Sequence, residues 1–204
     1  MNPVRKFLAI TFLFTAFSGG AVFLYLAFNG GKSEPSFATV LPITKPLPEF
    51  SLADQNGAPF NQDSLRGGWH ILFFGFTHCP DICPATLQQL AIARDRIIAD
   101  GGDFPEIVLV SVDPERDSTE VMAAYVAHFG EGVTGVTGSI GEVQTLTRGL
   151  GIFFAKSGES ADSYSVDHSA AVLLIDPDGN WHAVFSAPHD IDRFVADIPI
   201  LTGG

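Results

Sequence analysis

Cysteine is scarce in this chain of 204 residues and occurs only as Cys79 and Cys83. A fold stapled by disulfides is therefore excluded, because such folds need several cysteines that bridge distant segments. A bridge between residues this close together would restrain the unfolded chain little. The pair indicates chemistry, either thiol redox reactions or binding of a soft metal ion.

Charged side chains are absent from residues 7–28, and this apolar run is long enough to cross the roughly 30 Å core of a bilayer. Arg5 and Lys6 precede it, so the positive-inside rule predicts a single-pass inner-membrane protein. Its N-terminus would be cytoplasmic and its soluble domain periplasmic. A cleaved signal peptide is the alternative, although its apolar region is usually shorter. The sequence has no lipobox cysteine, so a lipid anchor is not predicted.

Basic residues are also few, with 11 Lys and Arg against 23 Asp and Glu. After residue 28 the chain has nine basic and 23 acidic residues, which gives this part a formal charge of −14. A surface of this charge repels nucleic acid and attracts basic partners or cations. Nucleic-acid binding is therefore excluded.

Three segments are predicted: a membrane anchor over residues 1–28, a flexible tether over 29–48 and one domain over 49–204. The tether prediction follows from a mixture of Gly, Pro, Ser and Lys without periodicity. The domain alternates apolar strands with amphipathic helices, which predicts an α/β fold with a mostly parallel central sheet. The expected strands are two short ones within 50–60 around an Asn56–Gly57 turn, then 70–76, 106–112, 151–156 and a C-terminal hairpin of 170–176 with 181–187. The expected helices are 83–100, 118–129 with Ser118 or Thr119 as cap, 141–150 and a last one that Asp190 caps and that ends near Pro199.

Cys79 and Cys83 follow the first buried strand and lie where a helix begins. Unpaired amides and the helix dipole stabilise anions there, which predicts a lowered thiol pKa. The spacing is C-x-x-x-C, one residue longer than the C-x-x-C of thioredoxin-type reductants. It favours a metal site, and leaves open a redox pair or an inert bridge.

His168 precedes a buried strand and lies 85 residues beyond Cys83. Alone, it is most simply a polar residue at the start of a strand. With two thiolates it would complete a three-coordinate site suited to Cu(I), and imidazole also accommodates Cu(II). Zinc usually takes a fourth ligand. Asp167 is predicted either to hydrogen-bond the imidazole or to cap the strand.

Three blocks of this sequence resemble the Sco/SenC family: FTHCPDICP at residues 76–84, VSVDPERD at 110–117, and DHS at 167–169 followed by IDPDG at 175–179. The similarity extends over about residues 46–200. Family members are membrane-anchored, thioredoxin-like copper proteins that help assemble the dinuclear copper centre of cytochrome c oxidase. The resemblance implies a thioredoxin-like fold preceded by one transmembrane helix. It also implies Cys79, Cys83 and His168 as copper ligands.

The family pattern departs slightly at two positions of the first block. Phe76 stands where Tyr is usual and Ile82 where Val is common. Neither is a ligand position. The implied partners are the copper-centre subunit of the oxidase, a copper donor protein and the membrane.

Other polar residues are weaker candidates for the site. His78 is an alternative ligand whose ring is expected to point away. Asp81 is expected to cap the helix or to tune the thiolates, and Asp113 to stabilise its loop or to contact a partner. Three other histidines are expected to have surface or packing roles: His70, His128 and His182. His189 opens the last helix and is a poor ligand candidate.

Three functions remain open on these residues. The first is a copper metallochaperone, which transfers metal without catalysis. The second is a membrane-anchored thiol–disulfide oxidoreductase that reduces the cysteines of the oxidase copper site, with His168 dispensable. The third is a peroxidase with Cys83 as the resolving cysteine.

Overall fold

The computed structural model describes Gly20, residues 34–160 and residues 163–203. The predicted anchor, except Gly20, and the start of the predicted tether lie outside the described residues. Residues from Pro35 onward form one unit with a single hydrophobic core. None of the described helices has the length and apolar character needed to cross a bilayer.

The described residues of this unit form ten strands and four α-helices, which are numbered here in chain order. The strands are β1 (Thr39–Pro46), β2 (Ser51–Asp54), β3 (Pro59–Asn61), β4 (His70–Gly75), β5 (Glu106–Ser111), β6 (Val133–Thr137), β7 (Phe154–Ser160), β8 (Ser163–His168), β9 (Val172–Ile175) and β10 (Asn180–Phe185). The helices are α1 (Ile82–Ala99), α2 (Thr119–Val126), α3 (Ile140–Leu150) and α4 (Ile191–Thr202). Short 3₁₀ turns follow β3 and α2.

The main sheet has eight strands in the order β1-β10-β9-β4-β5-β6-β2-β3. Its centre is β4, in which every residue is buried, as the continuous apolar run predicted. β4, β5 and β6 are parallel to one another. α1 packs against α4, and α2 packs against β6.

The prediction of a mostly parallel sheet is wrong. Five of the seven strand pairings in the described sheet are antiparallel: β1–β10, β10–β9, β9–β4, β2–β6 and β2–β3. Hairpin turns at Gly57 and Gly179 reverse the chain at both flanks, and both glycines have positive φ. Only the strands joined by helical crossovers are parallel.

The predicted tether is partly a strand. β1 lies within residues 29–48 and pairs with β10 along the sheet edge, with a register shift between Val40 and Lys45. The shift and the prolines explain why no strand period was visible in the sequence. The ordered domain therefore begins before residue 49.

Besides β1, two strands were not predicted from the sequence, and one was misplaced. β6 was missed because its glycine and threonines interrupt the apolar run. β8 was missed as well, and β7 begins at Phe154 instead of residue 151. β7 and β8 form a separate two-stranded sheet. α4 continues through Pro199 to Thr202, beyond its predicted end.

Helix starts follow the expected capping chemistry at α2, α3 and α4. Ser118 accepts a hydrogen bond from the amide of Val121, and Ser139 accepts one from Glu142. Asp190 caps α4 as predicted, through the amides of Asp192 and Arg193.

Asp197 of α4 holds the entry of the chain into the domain. Its carboxylate is buried and accepts hydrogen bonds from three consecutive amides, those of Ser36, Phe37 and Ala38, at 2.9, 2.7 and 2.7 Å. A carboxylate that satisfies three backbone donors fixes the segment just before β1.

Replacing Asp197 with alanine is expected to lower the free energy of unfolding by about 2 kcal/mol, because three amides lose a charged acceptor. Urea unfolding followed by circular dichroism measures this. Asp192→Ala is the control, since Asp192 belongs to the same helix and makes an exposed ion pair with Arg96. Equal losses in the two variants would show that the buried carboxylate has no special role.

Candidate metal centre

The two cysteines are presented by the loop between β4 and α1. The Cys79 amide donates to the Phe76 carbonyl at 3.2 Å, which forms a tight turn directly after the central strand. Cys83 lies in the first turn of α1 and is fully buried, whereas Cys79 is half-buried. Both are free thiols. The site therefore combines one enclosed sulfur with one that solvent reaches.

Gly75, the last residue of β4, leaves room for the enclosed sulfur. A Cβ at this position would lie 2.9 Å from Cys83 Sγ and 3.3 Å from a Leu109 methyl group. Any side chain here would displace the sulfur, because the surrounding core is closely packed.

His168 ends β8, and its ring faces the two sulfurs. Its Nε2 lies 3.2 Å from Cys83 Sγ, and the three potential ligand atoms of Cys79, Cys83 and His168 all lie within 4.8 Å of one another. The predicted proximity of residues 85 positions apart is confirmed. Among the described residues this is the one cluster of at least three His, Cys, Asp or Glu side chains able to hold a metal ion.

The His168 ring is oriented by a backbone carbonyl and by aromatic rings. Nδ1 donates to the Ser169 carbonyl at 3.1 Å, so Nε2 carries the lone pair and accepts a hydrogen bond from the Cys83 thiol. Phe73 and Phe76 contact the ring edge-on, with centroids 6.2 and 5.8 Å away. One of the two roles predicted for Asp167 was a hydrogen bond to the imidazole, and the Ser169 carbonyl makes that bond instead.

Burial dominates the acid–base chemistry of the site. It raises the pKa of the Cys83 thiol, although a hydrogen bond from the Phe76 backbone acts in the opposite direction. The predicted lowering of the thiol pKa is therefore wrong for Cys83, because desolvation outweighs the helix N-terminus. Burial lowers the pKa of His168, which keeps the imidazole neutral and available as a ligand.

A buried carboxylate, Asp117, supports the loop that carries Cys79. It accepts hydrogen bonds from the Thr77 amide at 3.1 Å, from Thr77 Oγ1 at 2.6 Å and from Ser111 Oγ at 2.6 Å. Asp117 is fully buried. No role was predicted for Asp117 from the sequence, although it directly follows the turn at residues 114–116, where a carboxylate that supports the loop could have been expected.

The weaker candidates lie around the cluster. His78 Nδ1 lies 3.0 Å from Thr77 Oγ1 and 3.8 Å from Asp117, and His78 is outside the ligand cluster. Asp81 occupies the N-cap position of α1 but makes no side-chain capping bond, so its predicted capping role is wrong.

Asp113 stabilises its loop, which was one of the two roles predicted for it. Its carboxylate is fully buried and binds the Arg116 guanidinium and the Tyr164 hydroxyl. Tyr164 belongs to β8, a strand that the sequence analysis missed, so its contact with Asp113 could not have been predicted.

His70, His128 and His182 have the packing and surface roles predicted for them. His70 is buried in β4, and His182 packs against Trp69. His128 is exposed, and His189 Nε2 contacts the Ala170 carbonyl at 2.6 Å. They lie outside the cluster.

Comparison with known proteins decides the family. The sequence profile described as SCO1/SenC matches residues 43–202, which is most of the chain. This chain belongs to the SCO1/SenC family. The fold is accordingly the thioredoxin-like α/β fold of Sco proteins, and the resemblance inferred from the three sequence blocks is confirmed.

Family members similar to this chain include plant and bacterial proteins. Protein SCO1 homolog 1, mitochondrial, of Arabidopsis thaliana is 40% identical over 143 residues, 70% of this chain and 43% of that protein. The crystal structure of A. thaliana ScoI with copper bound is 38% identical, with a TM-score of 0.69, and the match covers 73% of this chain and 92% of that one.

A solution structure of a Sco protein without metal is also similar to this chain. Apo Sco1 from Thermus thermophilus is 33% identical with a TM-score of 0.74, and the match covers 84% of this chain and 99% of that one. The Sco fold is thus shared with both a copper-bound and a metal-free relative.

Proposed function

We propose that this Sco-family protein is a copper metallochaperone that binds one copper ion through Cys79, Cys83 and His168. It delivers the ion to the dinuclear copper centre of cytochrome c oxidase, with the copper-centre subunit and a copper donor protein as partners. The observation that carries the proposal is the cluster of two sulfurs and one imidazole nitrogen within 4.8 Å. The copper-bound state of the A. thaliana relative supports it.

The donor set suits copper as cargo. Two thiolates favour Cu(I) over harder cations, and a neutral imidazole also accepts Cu(II). The described cluster offers no fourth protein ligand, which disfavours structural zinc. Cys79 is only half-buried, so a ligand from a partner could approach the ion from that side and displace the sulfurs in turn.

The membrane anchor and the periplasmic location are part of the same proposal. The uncharged run at residues 7–28 and the basic pair before it support a single-pass inner-membrane helix with a cytoplasmic N-terminus. Alkaline phosphatase fused to the C-terminus is expected to be active, because this reporter folds only after export. An inactive fusion would contradict the topology.

Anaerobic titration of the reduced full chain with Cu(I), against a competing chelator, tests the copper function. We expect one copper per chain. Copper transfer is then measured by mixing the loaded protein with the copper-free oxidase subunit and following the metal. Failure to bind copper, or retention of all copper by the donor, would refute the metallochaperone proposal.

A thiol–disulfide oxidoreductase is the second candidate, because the two free thiols lie close enough for a modest movement to join them. It would reduce the cysteines of the oxidase copper site. This function would be favoured if the His168→Ala variant reduced insulin disulfides rapidly and at the same rate as the parent chain. The two roles are compatible, since a reversible disulfide would control copper binding.

Copper affinity is expected to rise with pH. The raised pKa of Cys83 keeps its thiol protonated in the metal-free protein near neutrality, so Cu(I) must displace a proton. Each proton released makes the affinity rise about tenfold per pH unit. His168, with its lowered pKa, competes for a proton only below the usual histidine range. Chelator competition from pH 6 to 8 measures the slope, and a flat profile would contradict a buried thiol ligand.

A further inference from the structure

The hairpin that carries His168 is not part of the main sheet. β7 and β8 pair with each other from Phe154–His168 to Ser160–Ser163 and form their own sheet. Main-sheet hydrogen bonds therefore do not determine where the hairpin lies. Its position over the cysteines depends on side-chain contacts with the rest of the domain.

One face of β8 points toward the domain. Tyr164, Val166 and His168 are at least partly buried and alternate with exposed Ser165 and Asp167, which is the period of a strand. Tyr164 and His168 thus share a face, about 13 Å apart along the strand at the usual rise per residue. A contact that holds Tyr164 also restrains His168.

Tyr164 is held by two residues of the loop after β5. Its hydroxyl donates to Asp113 Oδ1 at 2.7 Å, and its carbonyl accepts from Arg116 Nη1 at 3.2 Å. The Arg116 guanidinium lies 3.8 Å from the Tyr164 ring centroid and donates through Nε to Asp113 Oδ2. Asp113, Arg116 and Tyr164 together are called the clamp.

The clamp is anchored in the core and reaches the aromatic wall of the site. Asp113 is fully buried at the end of β5, a central strand. The Arg116 guanidinium also lies 5.8 Å from the Phe76 ring, which contacts His168 edge-on. An exposed ion pair between Lys156 and Glu115 joins the same two segments but contributes little.

We propose that Asp113, Arg116 and Tyr164 are positioning residues for His168. The clamp fixes the hairpin so that Nε2 lies within reach of both sulfurs before copper arrives. The entropy cost of ordering the hairpin is then met during folding and not during metal binding, so copper binds more tightly. This inference rests on the proposed copper function and adds three residues beyond the ligand cluster of Cys79, Cys83 and His168.

Tyr164→Phe tests the clamp, since it removes one hydroxyl and keeps the ring. In the full chain we expect Cu(I) affinity to fall about 10-fold, as for other residues that orient metal ligands. In a His168→Ala background the same substitution is expected to cause no further loss. Tyr125→Phe is the matched control, because the buried Tyr125 hydroxyl has no hydrogen-bond partner within the described part of the chain.

A metal-free measurement separates the clamp from the copper function. Hydrogen exchange of the β7–β8 amides in the apo protein is expected to accelerate about 10-fold in Tyr164→Phe, while β4 amides are unchanged. Unchanged hairpin exchange, or an equal affinity loss with and without His168, would overturn the inference. If the parent chain bound no Cu(I), the proposed function would fail, and hairpin exchange would decide the clamp alone.

Discussion

Cys83→Ser is expected to lower the Cu(I) affinity of the reduced chain by about 1,000-fold. Zinc-finger peptides bind structural Zn²⁺ with free energies of about 10–16 kcal/mol, and on that scale one of three ligands supplies about 4 kcal/mol. A serine hydroxyl is neutral and hard, and therefore replaces a thiolate poorly on Cu(I). The loss is severe at this position because Cys83 is fully buried and water cannot take its place at the metal.

Thr86→Ala provides the control for Cys83→Ser. Thr86 is buried one turn further along α1, and its replacement tests the effect of altering this helix without removing a sulfur. It is expected to leave Cu(I) affinity unchanged. Affinity is measured by chelator competition on variants whose circular dichroism matches the parent. Near-parental affinity in Cys83→Ser would exclude Cys83 as a ligand.

The central part of the fold could be predicted because its signals are local. The apolar runs of β4 and β5 and the helix cap at Ser118 each specify one element. Strand direction is not local. It depends on where hairpins and crossovers return the chain to the sheet. For this reason the flanking strands, which are antiparallel, were wrongly predicted to be parallel like the central ones.

The ligand cluster could be predicted by residue type but not by geometry. Cys79, Cys83 and His168 were chosen for their chemistry and their resemblance to a family. The structure places His168 over the sulfurs by means of β8, a strand absent from the prediction. The residues that hold this strand, Tyr164 and Arg116, were assigned no such role, because a side-chain contact between distant segments leaves no pattern in one sequence.

The pKa of the Cys83 thiol shows how burial can outweigh the effect of a helix N-terminus. The start of α1 stabilises an anion within its first turn, and Cys83 lies there. The same residue is enclosed by the core, and desolvation raises its pKa. The sequence shows that a cysteine opens a helix, but the depth of its burial emerges only from the tertiary packing around Gly75.

His168→Ala is expected to lower Cu(I) affinity by about 100-fold, less than the loss of a thiolate because the imidazole ligand is neutral. For Cu(II) we expect the spectrum to change as well as the affinity, because imidazole is the ligand of this cluster that best suits the oxidised ion. Nitrogen hyperfine structure in the electron paramagnetic resonance spectrum of the Cu(II) form should disappear. The ring position supports this, with Nε2 free of a proton and directed at Cys83 Sγ.

His182→Ala is the control for His168→Ala. His182 is half-buried against Trp69 and lies outside the ligand cluster, so its loss removes an imidazole without touching the site. It is expected to keep both the Cu(I) affinity and the nitrogen signal. If His168→Ala also kept them, the two thiols would suffice for copper. The oxidoreductase function would then gain support, because it requires the cysteines alone.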